Sequence, residues 1–164
     1  CKMSHIGQVI NAMIAYYAGD VRRINHFLKV YGFAKAIGEM EGLDENTQEI
    51  IEIAALTHDI GIKNSEKKYN SSAGNYQQIE GPPEAKKLLA ELGIESGVID
   101  RVCWLIAHHH TYTDIQGIDY QILVEADFLV NFYEDDMSID SVHSAGGKMF
   151  KTLSGKAILN AIYS

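Results

Sequence analysis

The doublet His58-Asp59 places two ionisable side chains at the end of a segment whose inner face is otherwise aliphatic. Spacing of the type i, i+3, i+4, i+7 predicts one helical stripe that contains Ile51, Ala54, Ala55 and His58. Ionisable groups at core positions cost free energy through desolvation unless they are paired or bind a metal ion. The doublet is therefore a candidate metal site, and its other ligands should lie at inward-facing positions elsewhere in the chain.

Three other helical segments carry ionisable residues on or beside an apolar stripe. These residues are His26 beside Phe27 and Val30, His110 on the stripe of Ile106 with His109 next to it, and Asp127 beside Leu123 and Val130. Each one alone is readily explained as a hydrogen-bonded core residue, a helix cap or a solvated helix end. Together, such core-facing polar positions would each cost on the order of 1–3 kcal/mol if unsatisfied, and one shared cation satisfies all of them.

The mixture of imidazoles and carboxylates indicates which kind of ion would bind. Neutral imidazoles and carboxylates suit a divalent first-row transition metal, here Mn, Fe, Co, Ni or Zn. A metal that keeps an open position for water lowers the pKa of that water and polarises a phosphoryl oxygen. The pattern therefore predicts one divalent metal site that activates water.

The order His26, then His58-Asp59, then Asp127 resembles the H…HD…D signature of the HD superfamily of metal-dependent phosphohydrolases. The likeness covers about residues 21–133. It includes Arg-Ile-Asn-His at the first histidine, Ala-Ala-Leu-Thr-His-Asp-Ile-Gly around the doublet and Glu-Ala-Asp at the final aspartate. The resemblance implies that His26, His58, Asp59 and Asp127 bind one metal ion.

Some HD proteins carry a second metal ion. His109-His110-Thr111 resembles the His-Thr of HD enzymes that cleave dinucleoside polyphosphates, and also the His-His of the HD-GYP branch. The intervening histidine of two-metal members is absent, and Glu80 occupies its place. Glu80 is either a substitute carboxylate ligand or an acidic residue favoured near a helix N-terminus. The resemblance thus implies His109 and His110 as ligands of a second ion, with Glu80 as a further candidate.

The favoured reaction is hydrolysis of a phosphate ester or phosphoanhydride, with a nucleotide as the expected substrate. Asp59 would orient the attacking water, and with a single metal ion His109 or His110 would act as an acid or as a phosphate ligand. The lysine that usually follows the doublet by three residues is displaced by one, to Lys63. Lys63 and Arg23 would stabilise charge on the phosphoryl oxygens.

Two other functions stay open at this stage. The HD fold is also used by di-iron oxygenases, and a fold does not decide between chemistries. Two irons per chain and an oxygen-dependent reaction would distinguish that class. The other alternative is a non-catalytic, nucleotide-binding regulatory domain, although a pure binding module has no need for an open metal site.

The bulk composition limits the partners of the chain. Its 164 residues, 46% hydrophobic and 22% charged, are enough for one domain with a substantial core. The formal net charge of −8 argues against binding to nucleic acid or an anionic membrane, which requires a basic face. The expected partner is a small anionic phosphorylated substrate, which local cations or a metal must capture. No bilayer-spanning run and no signal-peptide pattern are present, so a cytoplasmic location is expected, while the oligomeric state is not readable.

Helical periodicity supplies the scaffold for these residues. The predicted fold class is all-α, a single HD-domain bundle of about six to seven helices over residues 1–164, with the ligands at about 21–133. Asp20 and Asp44 are predicted helix N-caps. The predicted helices cover about residues 4–18, 21–39, 44–58, 82–93, 98–110, 119–133 and a short span near residue 156.

The stretches between these helices are predicted from composition. Residues 63–81 are polar and aperiodic, which is typical of a functional loop. Pro82 and Pro83 suit the first turn of the next helix. Gly146 and Gly147 are expected to break the chain, and residues 148–153 could be extended.

Overall fold

The computed structural model describes residues 5–164 and contains nine α-helices and no β-strand within that range. The predicted all-α class is therefore confirmed, although the helices outnumber the predicted six to seven. Ser4, the predicted start of the first helix, lies outside the described residues. The helices are α1 (Ile6–Tyr16), α2 (Val21–Met40), α3 (Glu45–Thr57), α4 (Ile62–Tyr69), α5 (Gly74–Glu91), α6 (Ser96–His108), α7 (Ile118–Glu134), α8 (Ile139–Met149) and α9 (Leu153–Ile162).

Two aspartates begin helices where the sequence predicts N-caps. The Asp20 carboxylate accepts a hydrogen bond from the backbone N–H of Arg23 at 3.1 Å, and Asp44 accepts one from Thr47 at 2.7 Å. Each cap satisfies a backbone N–H that would otherwise lack a partner at the start of its helix. Helices α2 and α3 therefore begin at fixed residues, which sets the register of the ionisable residues they carry.

Helix α3 forms the centre of the bundle. Every residue from Ile50 to Thr57 is buried, and α1, α2, α6 and α7 pack around this helix. Because the C-terminal end of α3 lies inside the bundle, the doublet that follows it is also interior, and His58 is fully buried. Within residues 5–164, no helix combines the length and apolarity that crossing a bilayer requires.

Helix α4 and the first half of α5 occupy most of the stretch predicted to be irregular, residues 63–81. The sequence prediction is wrong there because the buried positions of the two helices in this stretch are polar or small, namely Ser65, Gln77, Glu80 and Gly81. Such positions give no apolar stripe from which a helix could be read. Pro82 and Pro83 consequently lie in the interior of α5 and not in its first turn.

Gly146 and Gly147 lie inside α8 and do not break the chain as predicted. A Cβ at Gly146 would overlap the side chain of Leu159, so glycine there lets α8 and α9 pack closely. Residues 148–153 end α8, connect the two helices and begin α9. The predicted extended segment is reduced to this connection, where Phe150 has an extended conformation.

Gly61 and Gly81 allow the turn after the doublet to contact the backbone of α5 directly. A Cβ on Gly61 would lie 2.6 Å from the carbonyl oxygen of Gln77 and 2.7 Å from the nitrogen of Gly81. A Cβ on Gly81 would lie 2.6 Å from Cγ2 of Ile106 in α6. Glycine at both positions therefore allows α5 to pack closely against the doublet and against α6.

Candidate metal centre

Three histidines and two aspartates from α2, α7 and the C-terminal ends of α3 and α6 converge inside the bundle. Asp59 Oδ2 lies 3.1 Å from His26 Nε2 and 3.3 Å from His58 Nε2. Asp127 Oδ1 lies 3.2 Å and 3.3 Å from the same two nitrogens. His109 Nε2 lies 3.6 Å from the other Asp59 oxygen, Oδ1. The structure thus brings together the four residues predicted to hold the first metal ion and adds His109 beside them.

The other ring nitrogen of each histidine fixes which tautomer is present. The Nδ1 atoms of His58 and His109 each lie 2.7 Å from a backbone carbonyl oxygen three residues earlier. The Nδ1 atom of His26 lies 2.6 Å from Glu134 Oε1. Carbonyl and carboxylate oxygens only accept hydrogen bonds, so Nδ1 donates in all three rings. Each neutral ring therefore presents the lone pair of Nε2 to the carboxylates.

This arrangement leaves several buried atoms without a partner. His58 Nε2, His109 Nε2 and Asp127 Oδ1 are buried and accept or donate no hydrogen bond. Lone pairs of nitrogen and oxygen face one another at these atoms, which is unfavourable unless a positive charge lies between them. A metal ion supplies that charge and ligates nitrogen and oxygen together, so the donor set fits a divalent cation.

The electrostatics of the cluster also favour positive charge. Burial acts to lower the pKa of His26, but its interactions with Asp127 and Asp59 outweigh burial and raise the pKa to about 10. Burial acts to raise the pKa of Asp59, but the neighbouring His58, together with other imidazoles, holds it well below its usual range. Both directions mean that the carboxylates stay ionised and attract a cation or protons.

A second group of ligand atoms shares Asp59 with the first. Asp59, His109 and His110 each offer one ligand atom, and the three atoms lie within 4.8 Å of one another. His26, His58 and Asp59 form a group of the same kind. Asp59 directs Oδ2 to the first group and Oδ1 to His109, so one carboxylate could contact two ions. The structure therefore brings His109 and His110 beside the first site, as the resemblance implies.

The structure does not bring Glu80 to either group, which corrects its prediction as a metal ligand. Its Oε1 accepts a hydrogen bond from Lys68 Nζ at 2.7 Å, and its Oε2 accepts one from the Tyr69 hydroxyl at 3.1 Å. The hydrogen bond from Lys68 lowers the pKa of Glu80. Glu80 therefore links α5 to α4 with both of its oxygens.

The two predicted phosphate-binding cations have different surroundings. Lys63 Nζ donates to the Tyr16 carbonyl at 3.1 Å and lies 4.9 Å from the centre of the Tyr16 ring, so it is directed to the end of α1 and not to the metal ligands. This contact corrects the role predicted for Lys63. Arg23 does line the pocket described below, but its guanidinium pairs with Asp20 at 3.2 Å and with Glu66.

Glu134 contacts the cluster although the sequence analysis did not select it. Its carboxylate lies 2.6 Å from His26 Nδ1 and 2.8 Å from Lys29 Nζ. Glu134 follows Asp127 by seven residues in α7, so the two share a helical face, and that spacing is the signal that could have identified it. Carboxylates that accept a hydrogen bond from a ligating histidine fix the ring and raise its basicity.

Replacing Glu134 with alanine should therefore weaken binding of the first metal ion by about 10–100-fold, the usual effect of losing such a partner. The affinity should be measured by calorimetric titration with Mn²⁺. Asp135→Ala is the matched control, because Asp135 is the neighbouring exposed acid and removes the same charge. Equal affinities for the two variants would show that Glu134 does not support His26.

Gln77 is the other contact that the sequence analysis missed. Its Oε1 lies 2.8 Å from His110 Nε2. Burial and the neighbouring His109 lower the pKa of His110 to about 4, so this ring is neutral near pH 7. No sequence pattern could have selected Gln77, because it belongs to the stretch without apolar periodicity.

A pocket of about 480 Å³ reaches the metal-binding residues. This volume falls within the range of roughly 300–1,000 Å³ that is usual for small-molecule sites. Its lining combines candidate ligands with other polar and charged residues, namely Asp20, Arg22, Arg23, His26, Asp59, Ile62, Ser72, Gln77, His110, Asp127, Asn131 and Glu134. The pocket thus gives a small polar molecule access to both groups of ligand atoms.

Comparison with known proteins agrees with this geometry. The family model described as HD domain matches residues 23–142. The chain is similar to the crystal structure of a predicted HD superfamily hydrolase from an uncultured Thermotogales bacterium, with 21% sequence identity and a TM-score of 0.70. That similarity covers 97% of this chain and 85% of the other, whereas the curated proteins give no significant match. The family match covers most of the chain and includes all four residues of the H…HD…D pattern, so this protein belongs to the HD domain family.

Proposed function

We propose that this protein is a metal-dependent phosphohydrolase that cleaves a phosphate ester or phosphoanhydride, with nucleotides as the favoured substrate class. The observation that carries the proposal is the set of buried, unpartnered atoms, His58 Nε2, His109 Nε2 and Asp127 Oδ1, beside a polar pocket. Membership of the HD family supports a metal-dependent hydrolase at the level of the superfamily. The bond cleaved and the substrate are our proposal.

Each residue of the cluster would have a separate role in this reaction. His26 and His58 would hold the metal through Nε2, and Asp59 and Asp127 through carboxylate oxygens. The bound metal would lower the pKa of water and polarise a phosphoryl oxygen. With only the first ion bound, Asp59 Oδ1, which lies 3.6 Å from His109 Nε2, would accept a hydrogen bond from an attacking water and orient it. Glu134 would keep the His26 ring in the orientation that ligation requires.

An anionic substrate needs a cation that is not already neutralised by an acid. Arg23 pairs with Asp20 and Glu66, and Lys29 pairs with Glu134. Among the described residues that line the pocket, Arg22 is the cation without an acidic partner. A guanidinium binds phosphate oxygens through two parallel hydrogen bonds. We therefore assign to Arg22 the phosphate-binding role that the sequence predicted for Lys63.

Arg22→Gln should raise KM for the phosphorylated substrate by about tenfold while changing kcat little, because a hydrogen bond to a charged group contributes about 1.5–3 kcal/mol and the exposure of Arg22 keeps the effect at the low end of that range. Steady-state kinetics on the best substrate from the screen below measure both constants. Lys87→Gln removes an equivalent charge from the exposed surface of α5 and serves as the control. The assignment is wrong if the two variants have the same KM.

The proposed function is tested by metal analysis combined with an activity screen. Freshly purified protein should contain at least one divalent transition metal per chain. With Mn²⁺, Fe²⁺, Co²⁺, Ni²⁺, Zn²⁺ or Mg²⁺, it should hydrolyse a nucleotide or a nitrophenyl phosphate, and chelation should stop the reaction. Metal binding without hydrolysis of any phosphate compound, together with a nucleotide-induced rise in melting temperature, would instead indicate a regulatory binding domain.

A di-iron oxygenase is the second candidate, because the bridging position of Asp59 between two ligand groups suits a pair of ions. Two irons per chain, oxygen consumption with an organic substrate and no hydrolysis of phosphate compounds would favour it. Metal-dependent phosphate release under anaerobic conditions would favour the hydrolase.

A further inference from the structure

The side chain of Gln77 is buried between Ser72 and His110, and its orientation is fixed by its two contacts. Gln77 Nε2 donates a hydrogen bond to the backbone carbonyl of Ser72 at 2.6 Å. The amide oxygen Oε1 therefore faces His110 Nε2, at 2.8 Å. Exchanging the amide oxygen and nitrogen would place Oε1 against the Ser72 carbonyl oxygen, where neither atom can donate. Gln77 thus offers His110 only an acceptor.

An acceptor at this position determines the tautomer of His110. Because Gln77 Oε1 can only accept, Nε2 of His110 must carry the hydrogen, and the lone pair of the neutral ring lies on Nδ1. The opposite holds for His58 and His109, whose Nδ1 atoms donate to backbone carbonyls. His110 can therefore bind a cation only through Nδ1 while its contact with Gln77 is intact.

Other contacts hold the ring and backbone of His110 in place. A Cβ on Gly74, at the start of α5, would lie 2.9 Å from Cγ of His110, so the ring packs against the α5 backbone. The backbone N–H of His110 donates to Gln78 Oε1 at 3.0 Å. The ring centre lies 3.9 Å from that of His109. Gln77 and Gln78 of α5 therefore fix the ring and the backbone of His110, respectively.

We propose that Gln77 is a positioning residue for a second metal ion, which is held by Asp59, His109 Nε2 and His110 Nδ1. The inference rests on the proposed function only in requiring that the cluster binds metal. Since the amide oxygen of Gln77 is occupied by His110, Gln77 acts through that ring and does not itself ligate. Three ligands from Asp59, His109 and His110 leave coordination positions for water or a substrate oxygen. The second ion should therefore bind more weakly than the first.

The test is a calorimetric titration of the metal-free full chain with Mn²⁺, which reads metal binding independently of activity. The unmodified protein should bind two ions with different affinities. Gln77→Leu keeps a similar volume but removes the acceptor, so it should weaken the second binding step by about 10–100-fold and leave the first unchanged. An unchanged first step also shows that the variant is folded. Gln116→Leu is the control, because Gln116 is an exposed glutamine between α6 and α7 and does not line the pocket.

A double-mutant cycle separates positioning from direct ligation. If Gln77 acts through His110, then Gln77→Leu should have no further effect on Mn²⁺ binding in a His110→Ala background. A further loss there would mean that Gln77 is itself a ligand, and would overturn the inference. A single binding step in the unmodified protein would overturn this inference while leaving the proposed function intact, whereas no metal binding at all would overturn both.

Discussion

Asp59→Ala should abolish metal binding and any phosphohydrolase activity. Asp59 directs one oxygen to His26 and His58 and the other to His109, so the substitution removes a ligand from both groups. Loss of a residue that merely supports a ligand usually weakens binding by 10–100-fold, so loss of this shared ligand should weaken it by about 100-fold or more. Metal content after gel filtration and the rate of phosphate release measure the two effects.

Asp100→Ala is the matched control for this experiment, because Asp100 is exposed on α6 and has the same charge. It should keep the metal content and activity of the unmodified protein. Circular dichroism should show that both variants retain their helices. An Asp59→Ala protein that is folded and fully loaded with metal would show that the site assignment is wrong.

Glu125→Ala should lower the free energy of unfolding by several kcal/mol. Glu125 is fully buried in α7, and its carboxylate accepts hydrogen bonds from Gln121 Nε2 at 2.6 Å, the Lys151 and Thr152 backbone N–H groups at 2.9 and 3.0 Å, and the Thr152 hydroxyl at 2.7 Å. It therefore joins α7 to the connection between α8 and α9. Unpaired buried donors cost about 1–3 kcal/mol each, but Lys151 is exposed and Gln121 also donates to the Met149 carbonyl, so we expect a total loss of roughly 3–5 kcal/mol, below the full sum for four donors.

Urea and thermal unfolding measure this loss, which should lower the melting temperature by roughly 6–20 °C in a chain of this size. Glu125→Gln keeps one acceptor oxygen and should lose less. Glu91→Ala, at the exposed end of α5, controls for removal of an acidic side chain. If the Glu125→Ala protein were as stable as the Glu91→Ala protein, Glu125 would not join α7 to the connection between α8 and α9.

The sequence indicated the residues of the first group because they belong to long, strongly periodic helices. His26 and Asp127 lie in helices with clear apolar stripes, so the same periodicity predicted the helix and the inward direction of the side chain. The N-caps Asp20 and Asp44 also indicated where α2 and α3 begin, and therefore the register of the ionisable residues in these helices. What periodicity could not supply was the distance between helices, which the structure gives as contacts of 3.1–3.3 Å between imidazole nitrogens and carboxylate oxygens.

The predictions that needed correction concern residues whose role depends on a neighbouring helix. Lys63 follows Asp59 by only four positions, yet its ammonium group donates a hydrogen bond to the Tyr16 carbonyl and lies over the Tyr16 ring in α1. Glu80 is likewise bound by Lys68 and Tyr69. Gln77 occupies the position beside His110 instead. Partners of this kind are fixed by tertiary packing, so spacing along the chain does not reveal them.

The coordination geometry depends on the backbone contact at Gly61 and Gly81, two residues that have no side-chain functional group. A methyl carbon needs about 3.5–4.0 Å from its neighbours, and only 2.6 Å is available at Gly61. Metal–ligand distances tolerate about 0.2 Å, so the shift imposed by an alanine exceeds what the ligands can absorb. A side chain at Gly61 would therefore displace the metal ligands and weaken metal binding while every histidine and aspartate of the H…HD…D pattern remained unaltered.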